Sequence, residues 1–521
     1  MVKLDIIFIH TPKFENFYPP IGDHLFINYI PMGLFGLADR VDKAGFSVRI
    51  VHLGLRWMLN HDLNTNEIIS YKPKIIALSM HWHHQSYDVI KIAKEIKSTL
   101  PDTFILLGGL TASFFYREIM EKFPFIDGII RGDAELPIEE LALAIINGKK
   151  KLNGVPNLVW RKNGYIYENP FDFVLDEKTL NQTDYTRFDL LEDGKDYCNY
   201  VTMPFFVKGV SKEKNNLMFS LKTRLFPLMV GRGCPTNCTW CAGSYLSQKE
   251  QSKRKRIIFM DPNKVIKSMK KAIDFGYDGF IISFDPFPNN PSYFIDLFSL
   301  LQKENIKPDC MFESYGLPSL NFIKSFKETF SQKYSTICLS PEVGSEDVRK
   351  KNKGFFYTNE ELFSSLDILK RFNINTDIFF TIGAPFENER DLIITYNMQK
   401  RIRKNYKNVN IRTFLISIEP GSPWYLDPDR YGIKKSLKTF MDFYNFHKNG
   451  GSPFSDLGYY IPNYFDKNDD ETDFAKKIMA IKCKKFCFIH PNARKSAKPF
   501  WARKLCFLSK HFFKIKKYLK R

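Results

Sequence analysis

Short apolar runs recur along this chain with helix-like segments between them, in two separate series, and that alternation sets the class of fold. In the first 150 residues the runs are DIIFIH (5–10), SVRIVHL (47–53), KIIALSM (74–80), TFILLGG (103–109) and IDGIIRG (126–132). Unbroken apolar runs of this length, separated by helices, read as strands of a parallel α/β sheet buried on both faces. From about 223 to 445 a second series follows: LMVG (228–231), GFIIS (279–283), DCMFES (309–314), TICLSPE (336–342), TDIFFTIG (376–383) and RTFLISIEPG (412–421). Six βα units predict a partial barrel. Between the two series, VPNLVWRKNGYIYENPF alternates about Lys162-Asn163-Gly164, a hairpin signature, inside a connector that includes the solvated loop SKEKNN (211–216). The expected division is 1–150, a connector over 151–222, a barrel over 223–445, and a small, basic, mainly helical region over 446–521. A chain of 521 residues outgrows a single hydrophobic core, which agrees with several domains.

In parallel α/β sheets ligands sit outside the carboxyl ends of the strands, so His10-Thr11-Pro12, Ser79, Gly108-Gly109 and Gly132 fall on the ligand side. Adjacent glycines let a bulky ligand approach the backbone. In the second series the strongest signal is Cys234-Pro-Thr-Asn-Cys238-Thr-Trp-Cys241, at the start of the barrel. Thiolates are soft ligands for zinc or iron–sulfur clusters, and structural zinc wants four of them. Three cysteines on a four-iron cluster leave one iron open. Nine cysteines in the chain, three of them within eight residues, fit a reducing compartment better than a disulfide framework. Charges interrupt every apolar stretch before the length of a spanning helix, and the first residues read as a strand rather than a signal peptide. The expectation is a cytoplasmic protein.

The cysteine spacing with an aromatic before the last cysteine, in GRGCPTNCTWCAG, resembles the signature of the radical S-adenosylmethionine (SAM) enzymes. Further segments resemble that family in order: SPEVGSEDVRKKNKG (340–354), TIGAPFEN (381–388) and EPGSPWY (419–425). The resemblance implies a 4Fe-4S cluster on Cys234, Cys238 and Cys241 whose open iron chelates SAM, splitting it to methionine and a 5'-deoxyadenosyl radical. It places Glu342 at the SAM ribose and Gly383 and Pro385 near the adenine. Many members carry Gly-Gly-Glu after strand two; this chain has Ser283-Phe284-Asp285-Pro286, which leaves Asp285 for the SAM ammonium. The first domain resembles the cobalamin-binding domain that precedes the barrel in a large subgroup, through Pro31-Met32-Gly33-Leu34, ALSM (77–80), LLGGLTAS (106–113) and DGIIRGDAE (127–135). That implies cobalamin beside Ser79, Gly108 and Gly109, without a protein histidine on cobalt, since Asp-x-His-x-x-Gly is absent; a domain that keeps the fold without the cofactor is the alternative. The resemblance also implies an electron donor such as flavodoxin or ferredoxin.

Other features divide between function and packing. His81, His83 and His84 read as solvated or packed loop histidines rather than a metal site. Cys198, Cys310 and Cys338 read as core residues, and Cys483, Cys487 and Cys506 as thiols rather than a second cluster. From Phe474 to Arg521 there are sixteen Lys and Arg and no acid, against a net charge of +20 for the chain. Within this tail Trp501, Leu505, Leu508, Phe512, Ile515 and Leu519 form one helical stripe opposite Arg503, Lys510, Lys514, Lys517 and Arg521. Such a helix over residues 500–521 suits an anionic membrane surface or a docking site on the barrel itself; no RNA-binding fold accompanies it, which argues against nucleic acid. Three functions stay open at this point. The first is a cobalamin-dependent C-methyltransferase acting on an apolar or lipid-like substrate. The others are an enzyme of the same architecture forming a ring or carbon–carbon bond, or oxidising, without methyl transfer, and a noncatalytic cobalamin or cluster sensor.

Overall fold

A computed structural model of the chain describes residues 3–482, apart from 12, 14–28, 61–64, 202–223, 286–291, 333, 452–456, 463 and 466–470. The first sheet has seven strands: β1 (Ile6–His10), β2 (Val48–His52), β3 (Ile75–Ser79), β4 (Phe104–Gly108), β5 (Gly128–Ile130), β6 (Leu158–Lys162) and β7 (Tyr165–Glu168), in the order β2-β1-β3-β4-β5-β6-β7. The first five are parallel. Every residue of β1 and β3 is buried, which is why their runs are apolar without alternation. The chain steps from β1 outward to β2 and then back to β3 on the other side, so the strand order reverses between β1 and β3. That reversal opens a crevice at their carboxyl ends. Asn163 and Gly164 both take positive φ, 50° and 83°, as a two-residue hairpin turn requires. The hairpin β6–β7 does not stand apart: it pairs antiparallel on β5 and lengthens the first sheet.

The second sheet contains β8 (Leu225–Pro227), β11 (Gly279–Ile282), β12 (Asp309–Ser314), β13 (Thr336–Glu342), β14 (Asn375–Ile382) and β15 (Val409–Leu415), all parallel, in the order β15-β14-β13-β12-β11-β8. Each strand neighbours the next in sequence, and β8 and β15 do not pair, which makes the partial barrel. The first strand lies at 225–227 rather than at LMVG: Leu228, Met229 and Val230 are buried but lead out of the sheet. They run to a two-residue antiparallel ribbon of β9 (Gly231–Arg232) and β10 (Ile258–Phe259). Burial, not strand pairing, wrote that apolar run.

Phe188, in the stretch between the sheets, packs against Phe35 of the first domain at 5.9 Å and stacks on Phe275 of the barrel side at 4.4 Å. After β15, β16 (Lys434–Lys435) and β17 (Tyr459–Tyr460) pair, and the helix Phe440–Lys448 lies on the first domain, with Tyr444 against Tyr87 and Phe440 against Phe123. Its first N–H groups, on Phe440 and Met441, donate to the Glu118 carboxylate at 2.7 and 3.1 Å, an anion at the positive end of the helix dipole. Among the described residues no helix is long and apolar enough to cross a membrane. Cys483, Cys487, Cys506 and the basic stripe of 500–521 lie outside the described residues.

Candidate active site

The cysteine loop springs from the β9–β10 ribbon. Gly233 sits at φ 110°, where a Cβ would approach Ile257 Cα to 2.9 Å, so the turn into the loop requires glycine. Thr236 Oγ1 lies 3.2 Å from Cys234 Sγ and 3.6 Å from Cys238 Sγ. The Gly354 N–H donates to Cys238 Sγ at 3.4 Å, and the Gly243 N–H to Cys241 Sγ at 3.3 Å. Such N–H···S bonds tune a cluster held by thiolates. Burial pushes the Cys241 thiol up to about 12 and raises Cys234 as well. Thiolates are therefore costly here unless a cation takes their charge, which fits an iron–sulfur cluster.

Thr239, between the second and third cysteines, is locked from both sides. Its N–H donates to the Asn352 carbonyl at 2.9 Å, and its own carbonyl accepts from Trp424 N–H at 3.0 Å. Its hydroxyl donates to Asn352 Oδ1 at 2.9 Å and accepts from Trp424 Nε1 at 2.7 Å. Asn352 Nδ2 also donates to the Pro385 carbonyl at 2.8 Å. One amide thus joins the cysteine loop, the segment after β13 and the turn after β14. The segment after β13 is itself folded back by Arg349, fully buried, which donates to the carbonyls of Pro341, Val343 and Tyr357 and to Asn359 Oδ1.

Glu342 ends β13 at φ 66°, just past a register shift against β14, a strained conformation that re-aims the side chain. Burial pushes its carboxyl up to about 7, opposed by Lys353 Nζ 3.8 Å away. Asp285, past the end of β11, accepts the Tyr315 N–H at 2.9 Å and the Ser314 hydroxyl at 3.3 Å. Gly383, at φ 86°, donates its N–H to Glu387 Oε2 and accepts Tyr459 O–H at 2.7 Å. Burial pushes Glu387 up to about 8. An unfolded glutamate loses its proton near pH 4.5 while the folded one keeps it to about 8, so the unfolded state gains stability across that window as pH rises. Stability should then fall by about 2 kcal/mol between pH 6 and about 8, and Glu387→Gln, which retains the acceptor for Gly383 and Tyr464, should flatten that slope in urea midpoints.

On the first domain, Ser79 pairs with His10 on one side and Gly108 on the other, placing all three at the mouth of the β1/β3 crevice. The Gln85 carboxamide spans that crevice, accepting from His81 N–H and Trp82 N–H at 3.0 Å each and donating to the Thr11 carbonyl at 2.6 Å. A Cβ on Gly108 would meet nothing within 4 Å, whereas Gly109, at φ 106°, approaches the Met80 carbonyl so closely that a Cβ would sit 2.7 Å from it. Gly108 therefore leaves open space at the crevice edge, as a bulky ligand there demands, and Gly109 serves the turn. The two domains meet at a buried ion cluster: Asp133 takes Arg232 at 3.1 Å and Arg254 at 2.5 Å, and Glu135 takes Arg232 at 2.7 Å. Gln251 Nε2 donates to the carbonyls of Ala242 and Gly421 at 3.4 Å each, which ties the cysteine loop to the segment after β15, and Glu419 of that segment lies with Oε1 3.7 Å from His83 Nε2 in the loop after β3. His83 and His84 are 2% and 3% exposed and are not solvated. Asn352, Trp424, Arg349, Gln85 and the Asp133 cluster were not singled out in the sequence, because they act on backbone groups or on partners far along the chain.

The family model of the B12 binding domain matches residues 21–142, and that of the Radical SAM superfamily matches 228–398. The chain thus joins a B12-binding domain to a radical SAM domain. It is a cobalamin-dependent radical SAM enzyme, with a 4Fe-4S cluster, SAM and cobalamin as the cofactors of that plan. An uncharacterised methyltransferase of Pyrococcus horikoshii is 24% identical over 393 residues, 74% of this chain and 76% of that protein. The anaerobic magnesium-protoporphyrin IX monomethyl ester cyclase of Cereibacter sphaeroides is 22% identical over 451 residues, 85% of this chain and 66% of that protein. Among solved structures, the radical SAM methyltransferase TsrM of Kitasatospora setae, with cobalamin and cluster bound, superposes with a TM-score of 0.64 at 15% identity over 95% of this chain and 90% of that one, which shows the shared fold.

Proposed function

We propose that the chain is a C-methyltransferase that methylates an unactivated carbon of an apolar or lipid-like substrate. The observation that carries this reading is the junction of the two sites through the segment after β15: Gln251 joins Gly421 of that segment to Ala242 of the cysteine loop, and Glu419 lies 3.7 Å from His83 in the loop at the β1/β3 crevice. When bound, SAM and the cluster would supply a carbon radical and cobalamin would serve as the methyl carrier. Cys234, Cys238 and Cys241 hold the cluster, and Glu342 takes the SAM ribose. Asp285 receives the ammonium, while Gly383 and Pro385 flank the adenine on a turn that Asn352 and Tyr459 fix. Ser79, Gly108 and Gly109 would hold the corrin at the crevice edge. The basic stripe of residues 500–521 brings the enzyme to an anionic membrane where such substrates dissolve, and flavodoxin or ferredoxin delivers the electron.

Gly108→Leu tests the corrinoid edge, since its Cβ would meet nothing within 4 Å. Loss of bound cobalamin with unchanged cluster content is expected; full cobalamin loading would contradict the placement. Methyl transfer is read from the co-products: the reconstituted enzyme with a membrane lipid extract should yield S-adenosylhomocysteine together with 5'-deoxyadenosine and a product labelled from methyl-labelled SAM. Deoxyadenosine and altered product without label would instead favour ring or carbon–carbon bond formation, the reading that the likeness to the cyclase supports.

A further inference from the structure

We propose that His83, His84 and Glu419 form a second metal site, for a divalent transition ion such as zinc or ferrous iron, tying the loop after β3 to the loop after β15. One ligand atom from each residue lies within 4.8 Å of the other two, and His83 Nε2 stands 3.7 Å from Glu419 Oε1. Ligand atoms bonded at about 2.1 Å in a tetrahedron stand about 3.4 Å apart. His83 and Glu419 thus stand within a few tenths of an ångström of that spacing, and closure of the whole set asks for a movement of at most about 1.4 Å. Two imidazoles and a carboxylate suit zinc or iron and leave positions open for water, whereas calcium and magnesium want oxygen ligands.

Three further observations point to an ion. Both imidazoles are almost fully buried with their rings stacked at 3.9 Å, and His83 Nε2 makes no hydrogen bond there, an arrangement that costs free energy without a partner. Beside the two imidazoles, His83, His84 and His447 line a small cavity with the apolar Ile418, Leu437 and Leu457, holding ≈ 10 Å³ of free space, about one water; Glu419 does not line it, and the space leaves the rings room to re-orient as an ion binds. The other ring nitrogen of His83 is already held: Nδ1 lies 2.9 Å from His447 Nε2, the outer-shell partner that fixes the tautomer of a ligating histidine. His447 Nδ1 lies in turn 2.9 Å from Lys13 Nζ, which donates to the Gly451 carbonyl at 2.8 Å. The site spans three elements distant in sequence and is separate from the three cysteines, so it stands or falls independently of methyl transfer.

The test is elemental analysis of the full-length, anaerobically reconstituted and desalted protein for iron, sulfide, zinc, manganese and cobalt. Beyond a cluster of four irons and four sulfides, about one further zinc or iron per chain is expected. Glu419→Gln and His83→Gln should each lose that ion while keeping the cluster's one-to-one iron and sulfide. Glu419, partly exposed, serves as the variant least able to disturb folding. Cobalt(II) added to the zinc-depleted protein should give visible ligand-field bands that both variants lack. No metal beyond the cluster, or an equal excess in wild type and Glu419→Gln, overturns the proposal.

Discussion

Cys238→Ala is expected to reduce deoxyadenosine formation to the level of solution without enzyme and to remove the visible cluster absorption, while cobalamin stays bound. The thiol has no substitute: Cys234 and Cys241 are its neighbours in the loop, and among the described residues the remaining cysteines, Cys198, Cys310 and Cys338, are buried elsewhere. The fold should survive. Thr239 is held by Asn352 and Trp424 through backbone and side chain alike, so losing one Sγ costs about 1 kcal/mol of packing rather than the loop. Retention of cobalamin is the informative half, because Ser79 and Gly108 belong to a different sheet from the cysteine loop. Persistent SAM cleavage in this variant would remove Cys238 from the cluster.

Asp133→Ala should cost about 3–5 kcal/mol, a large share of the 5–15 kcal/mol typical of a folded protein. Asp133 is buried and accepts from Arg232, from Arg254, itself 4% exposed, and from the Leu175 N–H at 3.0 Å. Among the described residues, removing it leaves the Arg254 guanidinium in the interior with only the Leu175 carbonyl at 3.2 Å to receive it. Arg232 keeps Glu135. The double variant Asp133→Ala/Arg254→Leu should recover part of the loss, since it takes the stranded charge away. Because Arg232 directly precedes the turn into the cysteine loop, Asp133→Ala should also lower cluster and cobalamin loading together. A urea midpoint equal to wild type would contradict the role given to this cluster.

Much of the fold was legible because burial leaves a direct trace in composition. TICLSPE marks β13 at its full length, 336–342, since parallel strands covered on both faces cannot alternate. Asn163-Gly164 announced the hairpin because few residues accept its positive φ. The first barrel strand was misplaced by a few residues because Leu228, Met229 and Val230 are buried without joining the sheet. At the site, three cysteines in one short loop are visible because the metal itself dictates their spacing. What holds them is not: Arg349 and Asn352 act largely on backbone carbonyls, which every residue carries. The contact of His83 with His447 spans 364 residues of sequence, and no local pattern encodes it. Glu342 could be placed by its segment, but the positive φ that aims it arises only from the register shift between β13 and β14.

The most direct measurement is anaerobic reconstitution with iron, sulfide and hydroxocobalamin, followed by a visible spectrum and an assay for 5'-deoxyadenosine under a strong reductant. The expected result is a cluster band, bound corrinoid and deoxyadenosine in the wild-type protein. A protein that takes up cluster and corrinoid yet leaves SAM intact would contradict the reading of this chain as a radical SAM enzyme.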